Sequence, residues 1–373
     1  MRRSIAAGVA ACFALACAIC VAAAAADGTH TASAKVDEAK AIVATAAQRA
    51  PRWSGPTTGP KAQPGKVIAL VAEDLRNGGI VGVAQGVREA VGRIGWTVRV
   101  LDAGGNPAGR TKALNDALAL APAGLVFVGA DAMEHRSQLE RFRAAGIPVV
   151  AWHAGPQPGP IAGTAVAMNI TTDPLEVARV TAMAAIAQSD GKANVVVFTD
   201  SNFRIAMAKA DAMAQVIRAC AGCKLLEVRD LAIAAAGKRM GPATRELLAQ
   251  HGERWTHALA INDIYFDYAM PVLIDGGGNA HLSLLSAGDG SASAFQRIQA
   301  STFQSATVAE PLLMQGWQAV DELNRLMAHE QVSGFVAPVH LVTPDNAAFD
   351  GGSQLRYDPD NGYREAYARI WKR

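Results

Sequence analysis

Residues 66 to 102 read KVIALVAEDLRNGGIVGVAQGVREAVGRIGWTVRVLD, and they restrict the fold more than any other stretch. Val67 to Ala72 is a short continuous apolar run, the pattern of a parallel strand covered on both faces. Glu73 to Gly79 is mostly polar and ends in two glycines, which marks a loop. Ile80, Val83, Val87, Val91 and Ile94 then recur at steps of three and four, one face of a helix. Gly95 stops that helix, and Thr97 to Leu101 is the next strand. The stretch is a βαβ unit, and such crossovers are right-handed in nearly all cases. Ligands of open α/β sheets bind outside the carboxyl ends of strands. Residues 73–80 are therefore the first place where function is expected, and Glu73 is a candidate by position.

The rest of the chain repeats this plan. Leu125–Val128 and Pro148–Trp152 read as strands, with a helix over Arg136–Ala145 between them, and Thr164–Met168 as a further strand. Beyond Thr171 the pattern starts again, with a helix over Asp173–Ala187 and a strand at Asn194–Phe198. A polar TDSNFR loop follows, then a helix that buries Ala206, Ala210, Met213 and Ile217. His257–Ile261, Leu282–Ser286 and Ala306–Ala309 are strands that end in Asn262, Asp289 and Glu310. Two βαβ-rich halves predict an α/β chain of two Rossmann-like lobes, with parallel sheets and a cleft between them.

The chain opens MRRSIAAGVAACFALACAICVAAAAADG, a basic pair followed by an apolar run to Ala26. This is the form of a secretory signal, with cleavage expected near Ala26 and a periplasmic product; a retained membrane anchor is the alternative. Arg2 and Arg3 leave with the leader, so 33 of the 35 Lys and Arg remain against 33 Asp and Glu. A neutral chain without a basic stripe argues against a nucleic-acid partner. Of five cysteines only Cys220 and Cys223 lie beyond the leader. Their CAGC spacing fits a redox motif or half a zinc site, but it follows a helix rather than opening one. No second pair completes a zinc site, so a structural disulfide is the expectation and no metal is assigned. Residues 27–65 read as an extension rich in Pro and Gly, with a short helix over Val36–Arg49, lying as a linker or an arm on the surface.

IALVAEDLRNGGI, GIPVVAWHAG, ALAIND, SAGDGS and SATVAEP, in that order, resemble the type I periplasmic solute-binding proteins of sugar ABC transporters, the ribose- and galactose-binding group. The resemblance runs from about Lys66 to Thr343. It implies a three-segment hinge near Thr171, Glu310 and Val342, hence a first lobe of residues 66–171 with 311–341 and a second of 172–310 with 342–373. It implies hinge closure over a small polar ligand, a sugar or polyol, and delivery to an ABC permease of the inner membrane by a monomer. No cofactor is implied. The family's ligand contacts fall on Arg76, Gly79, Ile80 and His153 in the first lobe and on Lys209, Asn262, Asp289 and Glu310 in the second. Sugar binders usually stack the ring on aromatics of the first loop, where this chain has Gly79 and Ile80. Trp152, Phe203, Tyr265 and Phe266 are near enough in sequence to supply an aromatic wall instead.

The residue types suit that ligand class. An ionised Asp289 accepts hydrogen bonds from hydroxyls, although DGSASAFQRI also reads as a helix start that Asp289 would cap. Asn262 donates and accepts. Two carboxylates against Lys209 would also suit a ligand carrying an amine. The enzyme alternatives are weaker. Glu73 and Asp289 could serve glycoside hydrolysis, yet no spacing supports that geometry. The first loop lacks GxGxxG, and no GxSxG, HExxH or P-loop occurs. DPDNGYRE resembles a calcium loop with Gly362 off register. A sensor docking to a chemoreceptor or kinase would share the fold and the cleft.

Overall fold

The computed structural model describes residues 33–276 and 279–372. The leader expected at residues 1–26 lies outside them. Residues 33–46 form α1. The first lobe then runs β1 (Val67–Ala72), α2 (Gly78–Ile94), β2 (Thr97–Asp102), α3 (Pro107–Ala119), β3 (Leu125–Val128), α4 (Arg136–Ala144), β4 (Val149–Trp152) and β5 (Val166–Ile170). The second lobe runs α5 (Pro174–Gln188), β6 (Asn194–Thr199), α6 (Arg204–Arg218), β7 (Lys224–Asp230), α7 (Ala236–His251), β8 (His257–Ala260), α8 (Ile264–Asp275), β9 (Ser283–Ser286), α9 (Ala292–Gln299) and β10 (Gln304–Val308). Helix α10 (Leu312–Met327) returns to the first lobe, β11 (Leu341–Val342) and α11 (Ala347–Asp350) to the second, and α12 (Tyr363–Trp371) ends the chain.

Each lobe is one sheet with helices on both faces, in the orders β2-β1-β3-β4-β5 and β11-β10-β9-β8-β6-β7. All pairs are parallel except β10 with β11. The two-lobed α/β fold expected from the repeated βαβ pattern is present. The opening unit forms as its residues dictate. β1 is buried along Ile68–Ala72, Asn77 caps α2 by accepting from Gly79 N at 2.9 Å, and Gly95 ends it at φ 71°. On one face of the first sheet α2 crosses α10 so closely that neither contact residue can carry a side chain. A Cβ on Gly86 would lie 2.4 Å from Leu313 O, and one on Gly316 2.5 Å from Val87 N.

Three internal crossovers join the lobes, at residues 171–173, at 310–311 and just before β11. Leu341 and Val342 already pair with β10, so the third lies a few residues earlier than Val342. Two further crossings come from the chain ends. Helix α1 buries Ala39 in the second lobe's core, and Lys40 pairs with Asp190 at 2.7 Å. Residues 47–62 then cross the back of the hinge. Ala47 O accepts from Asn346, Trp53 packs on Phe335 and Tyr367, and Thr58 O and Pro60 O accept from Arg325 and Asn324. The extension is thus an arm that touches both lobes.

Helix α12 corrects the expectation that residues 342–373 belong wholly to the second lobe. Tyr363, Tyr367, Ile370 and Trp371 join the core of the first. Trp371 is fully buried, stacks on Trp317 at 5.4 Å and donates to Asp321 at 2.8 Å. Trp371→Ala is therefore expected to lower stability by about 3–5 kcal/mol, because it opens a cavity and removes a donor from buried Asp321. Urea unfolding checks this; a loss below about 1 kcal/mol would place the helix elsewhere. Cys220 and Cys223 are joined by a disulfide in the turn between α6 and β7, as expected.

Candidate functional site

A cavity of about 370 Å³ lies between the carboxyl ends of the two sheets. Its first-lobe wall comes from the loop after β1 with Glu73, Asp74, Asn77 and Ile80, and from the end of β4 with Trp152 and His153. Its second-lobe wall includes Asp200, Asn202 and Phe203 after β6, Lys209 one turn into α6, and Asn262 and Asp289 after β8 and β9. Short βα loops place these side chains, since each strand ends at the cleft and each following helix starts beside it.

The inner end is dense in polar groups. Asp289 is buried and accepts from Asn262 Nδ2 at 2.8 Å, while Asn262 Oδ1 accepts from Ile264 N. Burial raises the Asp289 carboxyl above its ordinary range, against the pull of His153 and Lys209. Lys209 is buried and donates to Ala287 O at 2.6 Å. Asp263 holds the Asp289 loop in place. Its carboxylate accepts from Gly290 N, Ser291 N and Gln304 Nε2 at 2.8, 3.1 and 2.8 Å. The lobes meet tightly here, because a Cβ on Gly79 would lie 2.2 Å from Asp289 Oδ2. At the rim Arg204 of the second lobe grips Asp131 of the first through bonds of 2.7 and 3.0 Å.

The aromatic wall is Trp152 with His153 stacked on it, ring centroids 3.7 Å apart, and Phe203 opposite. His153 takes a left-handed backbone (φ 51°), uncommon for a residue other than glycine, and this folds its ring back over Trp152. Tyr265 and Phe266 do not contribute; both are fully buried in the second lobe's core, where Tyr265 donates to Leu231 O.

Three expected contacts lie elsewhere. Gly79 does not line the cavity but is buried against the Asp289 side chain, where the lobes meet. Arg76 is two-thirds exposed and turned onto Asp74, with bonds of 2.9, 3.1 and 2.6 Å, so it stands outside the cavity. The adjacent acid captures it, as short-range pairs in loops do. Glu310 sits behind the wall at the hinge. Its Oε2 accepts from Thr172 Oγ1 and Gln315 Nε2, both at 2.6 Å, and its Oε1 lies 3.4 Å from His153 Nε2. Gln315 Oε1 in turn accepts from Trp152 Nε1 at 2.7 Å, so the hinge acid is wired to the aromatic wall. Burial opposes the charge of Glu310, but His153, Lys209 and the Thr172 hydroxyl prevail and hold its carboxyl at about 2.

That value carries a prediction. A carboxylate with a lowered folded pKa adds stability above its unfolded value of about 4.5, lost as pH falls towards 2 and on the order of 3 kcal/mol in full. Glu310→Gln should thus be less stable than wild type at pH 6, with the gap closing between pH 4.5 and 2. Urea titrations at several pH values decide it: a gap independent of pH would show that the charge contributes nothing.

Glu73 faces the cavity but is committed. Arg110 Nε and Nη2 grip its two oxygens at 2.6 Å each. Burial raises its pKa and Arg110 opposes the rise. Sequence reasoning did not reach Arg110, Asp200 or Asn202. The loops after β2 and β6 held the available signal, since both strands end at the same cleft.

The family model of the periplasmic binding protein domain matches residues 68–331. No curated protein matches the chain. Among solved structures, a sugar ABC transporter protein from Yersinia enterocolitica is 16% identical with a TM-score of 0.70, over 85% of this chain and 99% of its own. An ABC transporter solute-binding protein from Mycobacterium smegmatis with bound glycerol is 19% identical, TM-score 0.68, over 79% and 99%. One from Agrobacterium vitis with bound allitol is 20% identical, TM-score 0.66, over 76% and 97%. The fold, the interlobe cavity and the family match agree: this chain belongs to the periplasmic binding protein domain family.

Proposed function

We propose that this protein captures a small polyhydroxylated ligand, a sugar or polyol, between its lobes and delivers it to an ABC permease, without turning it over. The observation that carries the reading is the inner end of the cavity, where buried Asp289, Asn262 and Lys209 face the Trp152–His153 stack. A carboxylate, an amide and an ammonium together accept from and donate to several hydroxyls, and the aromatic face takes the C–H side of a ring or chain. Glycerol and allitol in the Mycobacterium smegmatis and Agrobacterium vitis proteins fit the same chemistry. The Cys220–Cys223 bridge suits an oxidising compartment, and with the leader it supports export to the periplasm. The protein acts as a monomer in this reading.

Thermal shift followed by titration calorimetry tests it, with glycerol, allitol, D-allose, myo-inositol and L-arabinose as probes. A ligand present at 100 times its Kd adds about 2.7 kcal/mol to native stability. If no compound of this panel and no disaccharide raises the melting temperature, the reading is overturned.

A further inference from the structure

The cavity is longer than its polar inner end. Its walls come from the loops after four neighbouring strands in each lobe: β2-β1-β3-β4 on one side and β7-β6-β8-β9 on the other. Three strand-to-strand steps of about 4.8 Å make a trough roughly 14 Å long. The groups already described cluster towards the β4/β9 end, where Asn262 and Lys209 both reach across to the loop after β9. At the opposite end, after β2 and β7, the wall is Gly105, Pro107, Ile233 and Ala234, of which only Ile233 carries a large side chain. Gly105 cannot carry one: its φ is 71°, and a Cβ would lie 2.6 Å from Asp74 Oδ2.

This outer end is furnished rather than merely vacant. Arg110 is held rigidly by the bidentate Glu73 pair through Nε and Nη2, which leaves Nη1 to serve a ligand oxygen. Asp200 accepts from Asn202 N and Nδ2 and, through its other oxygen, from Ile233 N. That fixes Asn202 with its carbonyl oxygen available, and it pins the Ile233–Ala234 turn as a wall. Prearranged donors and acceptors on rigid partners are what a hydroxyl-binding subsite needs. The whole cavity, about 370 Å³, lies at the lower end of the roughly 300–1,000 Å³ range of pockets that bury drug-sized ligands.

We propose that the trough holds two linked sugar units, the first against Trp152 and Asp289 and the second against Arg110 and Asn202, between Pro107 and Ala234. The inference rests on the reading of the cleft as a site for polyhydroxylated ligands and adds the ligand's length to it.

Calorimetry compares single-ring probes (D-allose, L-arabinose, myo-inositol) with disaccharides (maltose, cellobiose, melibiose, trehalose), on wild type and on Ala234→Trp. Ala234 is exposed in a short turn and lines the outer end, so a larger side chain there takes up trough space without entering a core. At least one disaccharide is expected to bind 10-fold or more tightly than any single-ring probe, and Ala234→Trp to lower that ratio at least 10-fold. Asn202→Ala should lower it in the same direction through a lost hydrogen bond. Single-ring probes that bind as tightly as every disaccharide, or a ratio that neither variant changes, would overturn the two-unit proposal and leave the sugar or polyol reading intact. Failure of both sizes to bind would overturn both.

Discussion

Asp289→Ala is expected to weaken ligand binding by about 30- to 150-fold, a loss of roughly 2–3 kcal/mol. Asp289 is 4% exposed and ends a loop that Asp263 holds through two backbone amides. One of its oxygens is already bonded to Asn262, so the group is aimed before any ligand arrives. Removing it leaves ligand hydroxyls without their acceptor at the buried end of the cavity, and a buried donor left unmade costs more than the net worth of the bond it replaced. Asn262 would lose its partner as well. Calorimetry with whichever panel compound binds wild type best decides the matter. An Asp289→Ala protein that stays folded and binds within a factor of about two shows that the site lies elsewhere.

Gly79→Ala is expected to separate affinity from stability. A Cβ at position 79 would lie 2.2 Å from Asp289 Oδ2, 2.7 Å from its Cγ and 2.9 Å from its Cβ. Gly79 belongs to the first lobe and Asp289 to the second, so the methyl clashes only when the cleft is shut. Either the lobes stay apart or the carboxylate turns from its ligand. Overpacking of this kind costs about 1–3 kcal/mol, or roughly 5- to 150-fold in affinity. In the open, ligand-free protein the same methyl is harmless, because alanine suits the first turn of α2 at least as well as glycine. Urea unfolding without ligand should match wild type within about 1 kcal/mol while the Kd rises. A variant with unchanged Kd would contradict the contact between Gly79 and Asp289.

The parts of the molecule that could be read beforehand were those in which local pattern and global position coincide. Val83, Val87 and Val91 repeat at helical spacing and are buried on the sheet. His153, Asn262 and Asp289 follow short apolar strands, and the carboxyl ends of those strands face the cleft in any fold of this class. Arg76 shared that sequence position, yet its neighbour Asp74 turned it outward, a choice between two nearby partners that spacing does not encode. Arg110 was missed because α3 buries only Ala113, Leu114 and Ala117, too little apolar surface to announce a helix. Helix α7 carries Pro242 and two glycines, breakers that tertiary packing overrides. In α12 the spacing of Tyr363, Tyr367, Ile370 and Trp371 is helical, but a stripe says nothing about which lobe it will cover.

The route of α12 has a consequence for how the protein is made. A ribosome delivers the chain from its first residue, and the first lobe's sheet is complete once β5 has emerged. The face formed by Ile68, Leu70, Val126 and Val150 is then covered by α2 alone, because α10 and α12 follow only after the whole second lobe. An apolar sheet face left bare through that interval invites association with other chains. The arm formed by residues 47–62 cannot settle either, since Trp53 packs on Phe335 and Tyr367. Nascent chains that stop short of Tyr363 should therefore remain open to protease across the first lobe, and protection should arrive with the last helix. A chain that waits for its own end before folding stays threadable until synthesis is finished, the state in which a protein can still be passed through a membrane.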